Sequence, residues 1–188
     1  MSIASSPRTS PAAFSSLPES GSAGADDTAG RPGNDIVELL FFAYRDFVSD
    51  PDRLLTQYGF GRAHHRVLHF VERQPGMTIA EMLDILGITK QSLNPILKDL
   101  VEKGYIVQRT GTVDRRQRLL FPTDKGRALS LDLTKPQLGR IARALAGTEP
   151  DVRAKVTAFL FAMIDPDDHA HVARLVWTEP ATDGHDAE

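Results

Sequence analysis

The sequence predicts a mainly α-helical fold with one small β-hairpin wing: a winged helix-turn-helix carried on a helical dimerisation region. Residues 78–103 read as two capped helices joined by a short turn containing glycine, the pattern of a helix-turn-helix. Two strand-like runs with a basic tip follow at once, over residues 105–121. Residues 36–48 (IVELLFFAYRDFV) are apolar around most of a helical circumference, which in a chain of 188 residues points to a second subunit as the cover.

Residues 1–33 read as a disordered tail, because Ser, Pro, Gly and Ala supply 22 of the 33 and too little apolar surface remains to offset ordering entropy. The tail has no continuous apolar stretch like that of a signal peptide. Glu19, Asp26 and Asp27 argue against a transit peptide. The longest apolar runs, such as residues 158–164, fall far short of the roughly 18 residues a membrane span needs, so no membrane partner and a cytoplasmic location are expected.

Residues 34–60 are expected to be N-terminal dimerisation helices: the apolar helix over 36–48, then a short helical segment opened by Pro51 and ending at Gly59. Residues 61–123 form the winged helix-turn-helix. Its first helix, over 63–73, places Val67, Leu68, Phe70 and Val71 along one side and stops at Pro75 and Gly76. Thr78 and Glu81 form a capping box for a helix that runs to Leu86, with Gly87 at the left-handed position beyond it. Thr89 caps the next helix, which runs through Lys103 and is closed by Gly104.

Strand composition returns over residues 105–109 and 118–121, with Asp114, Arg115 and Arg116 at the tip between them. Residues 124–177 are expected to be C-terminal dimerisation helices. Thr123 caps the first, which carries Leu129 and Leu131 and which Pro136 must kink or split. Residues 148–151 open another, with Val152, Val156, Phe159, Leu160 and Met163 at helical spacing. Asp165 and Pro166 start a last short helix bearing Val172, Leu175 and Val176. Residues 178–188 hold four acids and no Lys or Arg, and read as a disordered acidic tail.

Charge is unevenly placed. The whole chain has 22 Lys and Arg against 25 Asp and Glu, a net −3 that gives no global hint of a nucleic-acid partner. Between Thr89 and Arg127, however, nine basic side chains (Lys90, Lys98, Lys103, Arg109, Arg115, Arg116, Arg118, Lys125 and Arg127) face four acidic ones. That window carries +5 and the remainder −8. Local field matters more to an anionic ligand than the total does, and the acidic remainder discourages nonspecific adhesion. The chain has no cysteine, which removes disulfides, thiolate nucleophiles and Cys-ligated zinc together.

Over residues 35–164, and most specifically over 104–129 (GYIVQRTGTVDRRQRLLFPTDKGRAL), the chain resembles the MarR family of bacterial winged helix-turn-helix transcriptional regulators. The resemblance implies a symmetric homodimer with intertwined N- and C-terminal helices, double-stranded DNA as partner, no enzymatic activity and no cofactor. Pro122 stands where the family has an aliphatic strand-end residue, Pro95 lies inside the recognition helix, and Pro136 interrupts the long dimer helix.

The recognition helix implied by the resemblance covers residues 90–103, with Leu93, Ile96, Leu97, Leu100 and Val101 on its buried side. Its opposite side presents Lys90, Gln91, Asn94, Pro95 and Lys98, with Thr89 and Ser92 at the start. Gln and Asn can pair bidentately with adenine, and Lys can donate to guanine or to phosphate. If Thr89 is the cap, Pro95 costs a helical bond; if Ser92 is the cap, Pro95 falls in the tolerant first turn. In the wing, Asp114 and Arg116 match the family's Asp-x-Arg pattern, whose arginine enters the minor groove, where the negative potential is strongest. Asp114 is expected to hold the Arg116 side chain extended, while Arg109, Arg115 and Arg118 are placed for phosphates. The competing reading for both groups is a solvated charged surface.

The histidines allow two readings. His65 and His69 have the spacing of paired metal ligands, with His64 adjacent and His169 and His171 elsewhere, which would fit a His-based metal hydrolase. No ligand set is completed beyond Glu72, and no hydrolase, phosphate-loop or metalloprotease motif is present, so packing or capping histidines and no metal are the expectation. The resemblance offers a further role: His64, His65 and His69, with Phe41, Phe42, Tyr44 and Tyr58, lining a cleft for a small-molecule effector between the dimer and DNA-binding regions. A winged helix used only for protein contacts is the remaining alternative. Within this family the lack of cysteine excludes a thiol-oxidation switch, leaving a ligand, a metal or a partner as signal.

Overall fold

The computed structural model describes residues 33–111 and 114–177; the rest of both expected tails, and Thr112 and Val113 within the wing, lie outside the described residues. Along the chain the elements are α1 (Asn34–Gln57), α2 (Arg62–Arg73), β1 (Met77–Thr78), α3 (Ile79–Leu86), α4 (Lys90–Glu102), β2 (Ile106–Thr110), β3 (Arg118–Pro122), α5 (Asp124–Leu145), α6 (Val152–Ala162) and α7 (His169–Trp177), the last preceded by a 3-10 turn over Pro166–Asp168. The fold is mainly helical with a small antiparallel sheet, as the sequence predicts.

Local signals set most boundaries. Thr78 Oγ1 accepts from the Glu81 N–H at 3.2 Å, and Glu81 Oε2 accepts from the Thr78 N–H at 2.7 Å, so the capping box is closed in both directions. Gly87 ends α3 in the left-handed region, at φ 62°. Thr89, not Ser92, caps α4. Pro95 is therefore the sixth residue of that helix and deprives the Gln91 carbonyl of its helical donor.

The prolines of the long helices behave otherwise than expected. No new segment starts at Pro51: α1 passes through it unbroken. Proline leaves the Phe47 carbonyl without its donor, but Gln137 Nε2 reaches that carbonyl from α5 at 3.4 Å, and the Pro51 ring is fully buried. Likewise α5 is not split at Pro136. Packing against α1 and α2 holds the helix on both sides of the one lost bond.

The sheet has the order β1-β3-β2, with Met77 opposite Leu120 and Ile106 opposite Pro122. The third strand, β1, was not expected; two residues are too few to carry an alternating pattern, and Thr78 also serves as the cap of α3. Beneath the sheet, Val67, Leu68 and Val71 of α2 pack with Met82, Leu93, Leu100, Ile106, Leu120 and Leu133 into one buried core. Gly126 lets the first turn of α5 lie against the backbone of Tyr105, just before β2: a Cβ there would stand 2.1 Å from the Tyr105 carbonyl oxygen.

Outside this core the apolar stripes face outward. Among the described residues, apart from Tyr58 and Val107, the exposed large hydrophobic side chains lie on α1, α5, α6 with its C-cap Met163, and α7, with Leu39 at 64% and Phe41 at 71% exposure. Helix α6 buries none of its residues, so Val156, Phe159, Leu160 and Met163 form an uncovered stripe. No helix among the described residues is long and apolar enough to cross a membrane.

Candidate nucleic-acid interface

Helix α4 is amphipathic in the sense the sequence requires. Leu93, Leu97 and Leu100 are buried and Ile96 and Val101 half-buried, while Thr89, Lys90, Gln91, Ser92, Asn94, Pro95 and Lys98 are all exposed. Thr89 and Ser92 are occupied by the cap itself: the Thr89 hydroxyl accepts from the Ser92 N–H and lies 3.1 Å from the Ser92 hydroxyl. Lys98 lies 3.7 Å from Glu102 one turn on, a surface pair of little energetic weight. Lys90 makes no ion pair among the described residues.

The wing turn is closed by main-chain bonds. Gly111 N–H donates to the Gln117 carbonyl and Gln117 N–H to the Asp114 carbonyl, each at 3.1 Å. A Cβ at Gly111 would stand 2.6 Å from the Asp114 carbonyl oxygen, so the turn admits only glycine without rearrangement. Asp114 does not hold the Arg116 guanidinium as expected. Its Oδ1 accepts instead from the Arg116 backbone N–H at 2.9 Å, because an acidic side chain two residues ahead on a turn reaches that N–H first. The side chains of Arg115 and Arg116 are exposed and make no ion pair among the described residues. The other two wing arginines are engaged in the hairpin: Arg109 lies over the Phe121 ring at 4.6 Å, and Arg118 donates to the Thr110 hydroxyl.

The seven proposed cleft residues divide into three groups. Tyr44, His65 and His69 line a cavity of about 380 Å³ between α1, α2 and α5. Tyr58 and His64 belong to another cluster, with Phe60 stacked on His64 at 4.7 Å and set edge-on to Tyr105 at 5.2 Å. Phe41, with its neighbour Phe42, is exposed on α1 away from both. Residues 64 and 65 part company because successive helical positions point about 100° apart.

Sequence reasoning missed Phe47, Asp52, Arg62, Arg66, Phe70 and Gln137 in the cavity wall. A signal existed in α2, where Arg62, His65, Arg66 and His69 repeat at helical spacing opposite the core stripe; Phe70, expected on the core side, packs against the core and also borders the cavity. Arg62 binds Asp52 through two nitrogens, at 2.7 and 2.9 Å, tying α2 to α1. Arg66 donates to the Leu86 carbonyl at the end of α3. His65 and His69 face each other edge-on at 6.5 Å, and burial pushes both below the ordinary histidine value, each helped by a nearby cation or imidazole. Among the described residues no three His, Asp or Glu side chains stand together as a metal site.

A family model described as the MarR family matches residues 58–117. Over 139 residues the chain is 42% identical to the HTH-type transcriptional regulator PetP of Rhodobacter capsulatus, spanning 74% of this chain and 84% of that protein. Its fold is similar to that of a SlyA-like transcription regulator from Listeria monocytogenes, with TM-score 0.60, 22% identity and coverage of 74% of this chain and 95% of that one. It is also similar to a MarR family regulator from Listeria monocytogenes complexed with 26mer DNA, with TM-score 0.61, 19% identity and coverage of 79% and 98%. These proteins are regulators rather than enzymes, which removes the metal-hydrolase alternative. With an exposed recognition face and wing already in place, the identity to PetP and the family match settle the assignment: the chain belongs to the MarR family of transcriptional regulators.

Proposed function

We propose that the chain acts in the cytoplasm as a homodimer that binds a pseudo-palindromic operator in double-stranded DNA and responds to a small-molecule effector. The observation that carries the reading is the pairing of an exposed polar face on α4 with two wing guanidiniums that have no ion-pair partner among the described residues. In this reading Lys90, Gln91, Asn94 and Lys98 meet base edges and phosphates in the major groove, with Thr89, Ser92 and Pro95 at its wall. Arg116 enters the minor groove. Arg109, Arg115 and Arg118 lie along phosphates, and Asp114 shapes the turn that presents them.

Residues 61–123 would then be the DNA-binding unit, and residues 34–60 and 124–177 the dimerisation region, with tails at 1–33 and 178–188. The uncovered stripes on α1, α5, α6 and α7 support a second copy as cover, because a monomer rarely leaves so much contiguous apolar surface in water. The cavity between α1, α2 and α5 supports an effector site, since it adjoins both regions and mixes apolar walls with a few polar groups. An effector there acts only through unequal affinity for two separations of the recognition helices.

The test is fluorescence anisotropy on DNA upstream of the chain's own gene. Wild type should bind with steep salt dependence, and Arg116→Ala should lose about 1–3 kcal/mol of binding while sedimenting as the same dimer. An Arg116→Ala protein that binds like wild type removes the wing from the interface.

A further inference from the structure

Two exposed lysines of the basic window, Lys103 and Lys125, turn their ammonium groups back onto carbonyls and rings of the protein itself. Lys125, in the first turn of α5, donates from Nζ to the Lys103 carbonyl at 2.9 Å, so a cation from α5 caps the C-terminal end of the recognition helix α4. The same ammonium lies 4.2 Å from the centre of the Tyr105 ring.

Lys103 passes the connection on to α1 and α2. Its Nζ lies 3.5 Å from the Tyr58 carbonyl at the end of α1, 3.5 Å from Asp99 Oδ2 one turn back in α4, and 4.5 Å over the Phe60 ring. His64, at the start of α2, stacks on that ring, and its buried Nε2, which has no hydrogen-bond partner among the described residues, stands 3.6 Å from the same Asp99 oxygen. Its Nδ1 accepts the Gly61 N–H at 3.1 Å and fixes the ring on the first turn of α2.

The rear of the recognition helix is thus joined to α1, α2 and α5 by two lysines and one imidazole. We propose that Lys103, Lys125 and His64 are positioning residues that set the angle of α4 against the dimer helices, and that neither lysine neutralises a DNA phosphate. The proposal rests on the operator-binding dimer described above. In that dimer the spacing between the two recognition helices follows from how each α4 is fixed to α1 and α5. A polar and cationic clamp suits this task because its geometry is directional, whereas apolar packing alone tolerates small rotations.

Counterion release separates positioning from phosphate contact. A phosphate-binding lysine contributes about one unit to the slope of log affinity against log salt, and a positioning lysine contributes none. The experiment compares Lys103→Met, Lys125→Met and Lys98→Met with wild type, on the natural operator and on operators with one base pair added or removed between half-sites. Lys103→Met and Lys125→Met should each lose about two- to thirty-fold in affinity, keep the wild-type salt slope, and discriminate less between spacings. Lys103→Arg should recover the spacing preference.

Lys98→Met, on the outer face of the same helix, should lower the slope and leave the spacing preference intact. A lowered slope in Lys103→Met or Lys125→Met overturns the proposal, and so does wild-type affinity and spacing preference in both. A loss of melting temperature with spacing preference unchanged assigns the cluster to stability alone and also overturns it. If Lys103→Met fails to fold, Lys125→Met and His64→Gln decide by the same three readouts. Wild-type protein that shows no salt-dependent DNA binding defeats the functional reading itself, and the clamp's role with it.

Discussion

Asp114 accepts the backbone N–H of Arg116 at 2.9 Å, so the acidic residue of the wing shapes the turn and leaves the arginine side chain free. An asparagine can accept the same bond through its side-chain oxygen; an alanine cannot. Asp114→Ala should therefore weaken operator binding by about 0.5–1.5 kcal/mol, while Asp114→Asn should bind at least as well as wild type. Anisotropy on operator DNA distinguishes the two, with melting temperatures expected to match. If Asp114 instead steered the Arg116 guanidinium by its charge, both substitutions would weaken binding equally.

Gly126 lies where any Cβ meets the Tyr105 carbonyl oxygen at 2.1 Å, and backbone cannot move aside as a flexible side chain can. Thr123, three residues earlier, also donates to the Gly104 carbonyl at 2.8 Å, which binds α5 tightly to the end of α4. Gly126→Ala should cost about 1–3 kcal/mol in urea unfolding, although alanine is the better helix former on propensity alone. A variant as stable as wild type would show that α5 can slide away from the Tyr105 backbone.

His65 and His69 are held below the ordinary histidine value of 6.5, chiefly by burial. In the unfolded chain both titrate near that value. As pH falls below it, the unfolded chain takes up protons that the folded chain refuses, and stability drops until the folded values are passed. Stability should thus be flat above about pH 7 and decline from about pH 6.5 downward. Replacing both histidines with glutamine should flatten the part of that decline they cause. Urea titrations at a series of pH values measure it.

Much of this architecture was legible in the sequence because caps and turns are local. The Thr78–Glu81 box, the Thr89 and Thr123 caps and the glycine at 87 each need only a few neighbouring residues, and each boundary they imply is where the chain turns. What escaped was tertiary. Nothing local to Pro51 reveals that Gln137, far along the chain, supplies the donor the Phe47 carbonyl lost. A two-residue strand such as β1 has no periodicity to read.

The basic window was countable, but which of its lysines fold back onto the protein was not. Nothing local separates Lys103 and Lys125 from Lys90; the Tyr58 carbonyl, the Phe60 ring and Asp99 set Lys103 apart, and the Lys103 carbonyl and Tyr105 ring set Lys125 apart. The cleft residues were half legible for a related reason. Tyr44, His65 and His69 share a cavity, whereas Tyr58 and His64 stack on Phe60 in a separate cluster.

Footprinting on the promoter nearest the chain's own gene tests most directly whether α4 and the wing read DNA as a two-fold pair. Two protected half-sites related by a two-fold axis are expected, with centres about one helical turn apart, and protection lost as salt rises. A single unpaired protected segment, or no protection at low salt, would contradict it.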